Sequence, residues 1–227
     1  MKFLNTIFSG AALSCAMLLS GAASNVALAS DDARFEVTIT NITQGEIFTP
    51  IMVASHRRGT KLFTLGEAAS SELEIIAESG NPGPLGDTLI SSGAALDVVS
   101  ADGVLFPGAS LTLTVRTDKK HAHVSVASML VPTNDAFFAV NGIRGPRGKN
   151  TKTVYSPAYD AGTEINDENC DNIPGPPFAC TGEGFNEASG EGYVYIHPGI
   201  QGGGDLNAAD YDWNNPVAKI TIRRIDD

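Results

Sequence analysis

Between residues 34 and 43 apolar and polar side chains take turns. In RFEVTITNIT, Phe35, Val37 and Ile39 alternate with Arg34, Glu36 and Thr38. Successive side chains of an extended strand point to opposite faces, so a period of two predicts a strand with one face in a core and one in water. The rhythm returns in SLTLTVRT (110–117), AHVSVASMLV (122–131), GYVYIHP (192–198) and VAKITIRRI (217–225), with shorter strands expected near 47–54, 96–99 and 136–141. Asp118-Lys119-Lys120 reads as the turn of a hairpin. One stretch has helical spacing instead. GEAASSELEIIAES (66–79) puts Leu73, Ile76 and Ala77 on one face and stops at Gly80-Asn81-Pro82, and a second helical turn is expected near 84–92. From about 143 to 192 the chain is polar and rich in Gly and Pro, which reads as one long loop. Strands 10–20 residues apart with one crossover helix predict an antiparallel β-sandwich.

The ends and the charge refine this picture. Residues 1–29 carry Lys2, then a long run of apolar and small residues, then Ala27-Leu28-Ala29, the layout of a secretory signal peptide cleaved after Ala29. Cys15 falls inside that run, one place out of register for a lipid-attachment box. The remaining 198 residues, 30–227, suffice for one domain with a sizeable core. They hold 14 basic and 26 acidic residues, a balance that excludes nucleic acid as a partner and favours cations. No stretch of the mature chain reads as a membrane span, and a secreted or periplasmic location is expected. In an oxidising compartment Cys170 and Cys180, nine residues apart around DNIPGPPFA, predict a disulfide closing a small loop; a metal-thiolate pair lacks the C-x-x-C spacing.

Candidate chemistry centres on YDAGTEINDENCDN (159–172), which holds Asp160, Glu164, Asp167, Glu168 and Asp171 and no Lys or Arg. Calcium takes about six to eight oxygens from carboxylates, carbonyls and water. Asp160 and Glu164 flank Gly162, which lets the backbone turn both acids toward one point, but the register is not that of an EF-hand. Read alone, the stretch is either a metal loop or solvated acid. Asp135 in PTNDAF (132–137) follows an apolar strand, where a carboxylate caps a turn or serves as a ligand. GGGDLNAADYDW (202–213) reads as a structured turn. His121 and His123 have spacing for a transition metal on a strand face, against the simpler reading of an exposed strand start. The basic run RGPRGKNTK (144–152), with Arg57 and Arg58, is either a solvated loop or a site for an acidic polymer. No G-x-S-x-G or H-E-x-x-H is present.

FEVTITNITQGEIFTP, LFTLGEAASSELEIIAESG, SMLVPTNDAFFAVNG, YDAGTE and YDWNNPVAKITIRRI together resemble bacterial spondin-domain proteins, a family related to the amino-terminal spondin module of the extracellular-matrix protein F-spondin. The resemblance runs over about 34–225. It implies an eight-stranded antiparallel, C2-like sandwich with one structural calcium ion. The implied ligands are Asp135, Asp160 and Glu164. Two departures stand out: Ala136 separates Asp135 from Phe137, and Glu164 stands where the family has Asp. The expectation is a non-enzymatic, calcium-binding adhesion module contacting an extracellular or envelope protein or a polysaccharide. The rival readings are a secreted carbohydrate-active hydrolase with two separated carboxylates and an envelope protein without a metal.

Overall fold

The computed structural model describes residues 33–185 and 190–225; the expected leader at 1–29 lies outside them. Along the chain run β1 (Arg34–Asn41), β2 (Ile47–Phe48), β3 (Met52–His56), α1 (Ser71–Ser79), α2 (Gly83–Ser91), β4 (Ala95–Ser100), β5 (Ser110–Arg116), β6 (His123–Val131), β7 (Ala136–Arg144), β8 (Thr151–Ser156), β9 (Ala158–Asp160), β10 (Tyr195–Ile196), α3 (Ala208–Tyr211) and β11 (Ala218–Ile225). They form two antiparallel sheets, a four-stranded one in the order β5-β1-β11-β8 and a seven-stranded one in the order β10-β9-β7-β6-β3-β4 with β2 beside β6. The class is the expected antiparallel sandwich, but the expected eight strands are eleven.

The alternation in β1 does what its period dictates. Phe35, Val37 and Ile39 are buried between the sheets with Ile220 and Ile222 of β11 and Val124, Val126 and Phe138 of the facing sheet. On the other face Thr38 meets Thr112 at 2.8 Å and Thr40 meets Ser110 at 2.7 Å, while Glu36 pairs with Arg223. Each fully buried side chain of this size contributes about 1.5–3 kcal/mol.

Strand β6 departs from the half-buried expectation, since every residue from Val124 to Val131 is buried. The cause is a third layer. α1 packs on β6 and β7, and α2 on β4, so the seven-stranded sheet is covered on both faces. Leu73, Ile76, Leu85 and Leu89 close over Met52, Ala54, Ala127 and Phe137. The polar residues of β6 survive burial because they are bonded: Ser125 Oγ lies 2.8 Å from His56 Nε2, and Ser128 Oγ donates to the Thr49 carbonyl at 2.9 Å.

The helix expected within 66–79 is α1, and the second helical turn expected near 84–92 is α2, a full nine-residue helix. Asp118-Lys119-Lys120, expected as the turn of a hairpin, instead links the two sheets, because β5 pairs with β1 while β6 pairs with β3 and β7. α1 begins at Ser70, whose hydroxyl accepts from Leu73 N, and stops at Gly80 in the left-handed region (φ 67°). Helices this short do not persist alone in water, so docking holds them. The polar stretch 143–192 also contains structure that its composition hides, namely β8 and β9, whereas the strand expected over 192–198 is only Tyr195–Ile196. Cys170 and Cys180 form the expected disulfide. Leu73→Ala removes the central contact of α1 and is expected to cost about 2–5 kcal/mol, read as a lower midpoint of denaturant unfolding.

Candidate metal centre

The site is built on the turn between β6 and β7. Three consecutive residues there hold the acidic loop. Thr133 caps the turn, its hydroxyl accepting from Ala136 N at 3.2 Å. Asn134 donates to Asp167 Oδ1 at 3.0 Å and accepts from Glu168 N at 3.2 Å. Asp135 Oδ2 accepts from Thr163 N at 2.8 Å, Thr163 Oγ1 at 3.2 Å and Glu164 N at 3.1 Å. The antiparallel register Ala136↔Asp160 sets the end of β9 beside this turn, and Ala161 N donates to the Asp135 carbonyl at 3.2 Å.

Asp160 then reverses the chain. Its Oδ1 accepts from Gly162 N at 2.7 Å, and Gly162 has φ 68° with a would-be Cβ only 2.3 Å from the Tyr193 carbonyl. A side chain at 162 is excluded on both counts. Asp160 Oδ2 accepts from Asn166 Nδ2 at 2.6 Å and lies 3.8 Å from His197 Nε2. That histidine is no counter-charge. Burial pulls it down to about 4, and its Nδ1 accepts from Gly199 N at 3.0 Å, so it is neutral near pH 7 with Nε2–H directed to Asn166 Oδ1.

Asp135, Asp160 and Glu164, the three acids singled out in the sequence, thus meet at one end of the sandwich and are all buried. Burial pushes Asp135 up to about 7, and the Asp160 charge adds to it against the bonds from Glu164 and Thr163. Burial also pushes Glu164 up to about 8; the Glu78 charge is the next cause, and the Asn134 amide partly offsets it. Asp160 is raised as well, chiefly by burial. Glu78, a buried residue of α1, belongs to this acidic group but was not visible as such, because in the sequence it reads only as part of a helix. Asn134 and Asn166 were likewise missed, although both stand next to acids that were singled out.

Asp135 Oδ1 is buried and has no hydrogen-bond partner. It stands within the influence of two other buried carboxylates, and no Lys or Arg is among the main influences on any of the three. Hard oxygen donors that repel one another fit a hard cation. Among the described residues, however, no three His, Cys, Asp and Glu side chains converge as a closed ligand set. The chemistry of the donors therefore fits calcium, while the arrangement is open.

The other candidates resolve differently. His121 is held by Asp118 Oδ1 at 2.9 Å and by Arg57 Nε at 3.2 Å, and His123 pairs with His56 across β6 and β3 with ring centroids 6.3 Å apart. They form no metal site among the described residues. The turn at 202–213 docks on the acidic loop: Glu168 accepts from Gln201 N and Gly203 N, and Asp205 Oδ2 accepts from Cys170 N at 3.0 Å.

A two-sheet antiparallel sandwich with a disulfide-closed acidic loop clamped to one end is the architecture of an extracellular or envelope module. The Spondin_N family model matches residues 40–166, and the chain belongs to that family. No curated protein matches the chain. No helix among the described residues is long and apolar enough to cross a membrane.

The raised acids set a pH dependence. Asp135 moves from 3.8 to about 7 and Glu164 from 4.5 to about 8, so between about pH 4 and 8 the folded state holds protons that the unfolded chain has released. Their contribution is then fully present below pH 4 and is lost as pH rises through 7–8. In chelator the denaturation midpoint is expected to fall between pH 5 and pH 8 by more in the wild type than in Asp135→Asn; equal slopes would remove these acids as the cause.

Proposed function

We propose that this protein is a calcium-binding, non-enzymatic module that acts outside the cytoplasm in adhesion or matrix contact. The observation that supports it best is the buried Asp135 Oδ1, without a hydrogen bond, beside Asp160 and Glu164. A bound ion supplies positive charge where three buried carboxylates crowd. Asp135, Asp160 and Glu164 hold it, with carbonyls and water completing the shell. The longer arm of Glu164, in place of the family's Asp, brings its carboxylate to the ion from farther back along the loop. An open, partly assembled donor set points to the weak end of extracellular calcium sites, with Kd about 10⁻⁴–10⁻³ M. The ion clamps the loop against the sandwich end and so stiffens a surface for a partner. Membership of the spondin family and the disulfide support a location in the envelope or outside the cell.

A thermal melt of the protein in chelator, then with calcium, magnesium and zinc in turn, tests the reading. At a hundredfold excess over Kd, a ligand of the folded state adds about 2.7 kcal/mol, or roughly 5–10 °C for a chain of this size. A calcium-selective rise that Asp160→Asn removes is expected. The same melting temperature in chelator and in all three cations sinks the proposal and leaves an acidic loop without an ion.

A further inference from the structure

Net charge conceals how the charges are distributed. Of the 15 Lys and Arg, Lys2 lies outside the described residues and Lys219 stands far along β11, paired with Thr40 and Tyr155. The remaining 13 lie at the end of the sandwich opposite the acidic loop. The strand registers fix this placement. Arg34 faces Arg116 and Ile225 across neighbouring strands, His123 faces both His56 and Arg144, and Arg223 faces Thr151. The start of β1, the turn after β3, the β5–β6 and β7–β8 connections, which cross from one sheet to the other, and the end of β11 therefore all open on one face. Among the described residues, Asp97 meets Arg116 there at 3.5 Å, Glu36 pairs with Arg223, and Asp118 is taken up by His121 and Lys120 N.

The face is shaped as well as charged. A cavity of about 260 Å³ lies between the β5–β6 and β7–β8 connections, lined by Phe35, Lys119, Arg144, Arg147 and Arg224 together with one acid, Asp118. A second, of about 320 Å³, is lined by Lys149, Arg223, Arg224 and Ile225, so Arg224 borders both. Gly145 ties the two connections together. Its N–H donates to the Ala122 carbonyl at 2.8 Å, and a Cβ there would stand 2.3 Å from the Phe35 ring. Arg144, Arg147, Lys149, Lys119 and Arg223 are exposed.

We infer that this basic face is a binding surface for an anionic polysaccharide, sulfated or uronate, which lies along the two clefts that Arg224 borders. Clefts lined by one sign of charge focus the field and concentrate a polyanion, and Arg forks suit planar or tetrahedral oxyanions. No exposed aromatic side chain stands on these turns, so the stacking platforms that hold single-stranded nucleic acid are missing. The inference names a partner class for the adhesion role proposed above, but at the opposite end of the molecule, so it does not depend on calcium.

The test is retention of the full-length protein on immobilised heparin and on immobilised alginate, eluted with a salt gradient in chelator. A chain with net charge −11 is repelled by both resins unless its basic end binds. Retention on at least one is expected, with the two resins separating sulfate from carboxylate recognition. The double variant Arg147→Glu/Lys149→Glu should flow through, whereas Lys219→Glu should elute with the wild type. All these side chains lie on the surface, so melting temperatures should stay close to wild type and exclude unfolding. Asp160→Asn should be retained normally, and that outcome separates this inference from the calcium reading. Flow-through of the wild type on both resins overturns the inference. Equal retention on single-stranded DNA of matched charge overturns the polysaccharide assignment in favour of a generic polyanion surface.

Discussion

A carboxylate shut away from water is the constraint on which the functional end depends. Asp135 lies in a turn between two central strands and cannot move to solvent without undoing them. One of its oxygens satisfies the backbone of Thr163 and Glu164, which fixes where the acidic loop starts. The other oxygen has no bond at all. The loop that Asp135 recruits brings two further acids beside it, so the bond that builds the site also builds its repulsion. Such a cluster has three ways to relieve that repulsion: hold protons, hold a cation, or open. The raised acids express the first, and the proposed calcium expresses the second.

The same electrostatics divide the molecule. Acids gather where the loops of 159–172 and 202–213 meet, and basic residues gather where the β5–β6 and β7–β8 connections meet at the far end. Over the length of a sandwich this separation exceeds the Debye length at physiological salt, about 8 Å, so each end presents its own sign to a partner. A net charge of −11 is the sum over both and describes neither. An argument from net charge alone therefore describes the acidic end and not the basic one.

Strands whose two faces meet different surroundings were legible in the sequence, and β1, β5 and β11 follow their alternation. Strand β6 was located but its burial was not, because α1 supplies a second apolar neighbour that a period of two cannot reveal. Helix α2 was only half visible, since Gly83, Pro84 and Gly86 weaken the helical signal that docking on β4 restores. β8 and β9 were hidden inside a polar stretch: Thr151, Lys152 and Thr153 read as loop, and only pairing with β11 makes them strand. The three acids of the site were legible through motif and spacing. Their burial, and the approach of Glu78 from a helix more than fifty residues earlier in the chain, are products of tertiary packing. Glu46 is a similar case, a buried acid in GEIF with neither carboxylate oxygen bonded.

How the long loop is held decides what an ion can do for it. The disulfide ties Cys170 to Cys180, and Ile173 and Cys180 reach into the core between the sheets. Glu168, in the left-handed region at φ 56°, accepts from the 201–203 backbone and donates to Asn134. The loop is thus anchored at both ends by bonds that involve no metal, unlike small domains whose folding free energy is the metal's own. An ion at Asp135, Asp160 and Glu164 then acts on a loop already in place: it changes the charge and stiffness of one end, and leaves the sandwich and its basic face as they are. In that division the two proposed binding chemistries would draw on separate residues of one small fold.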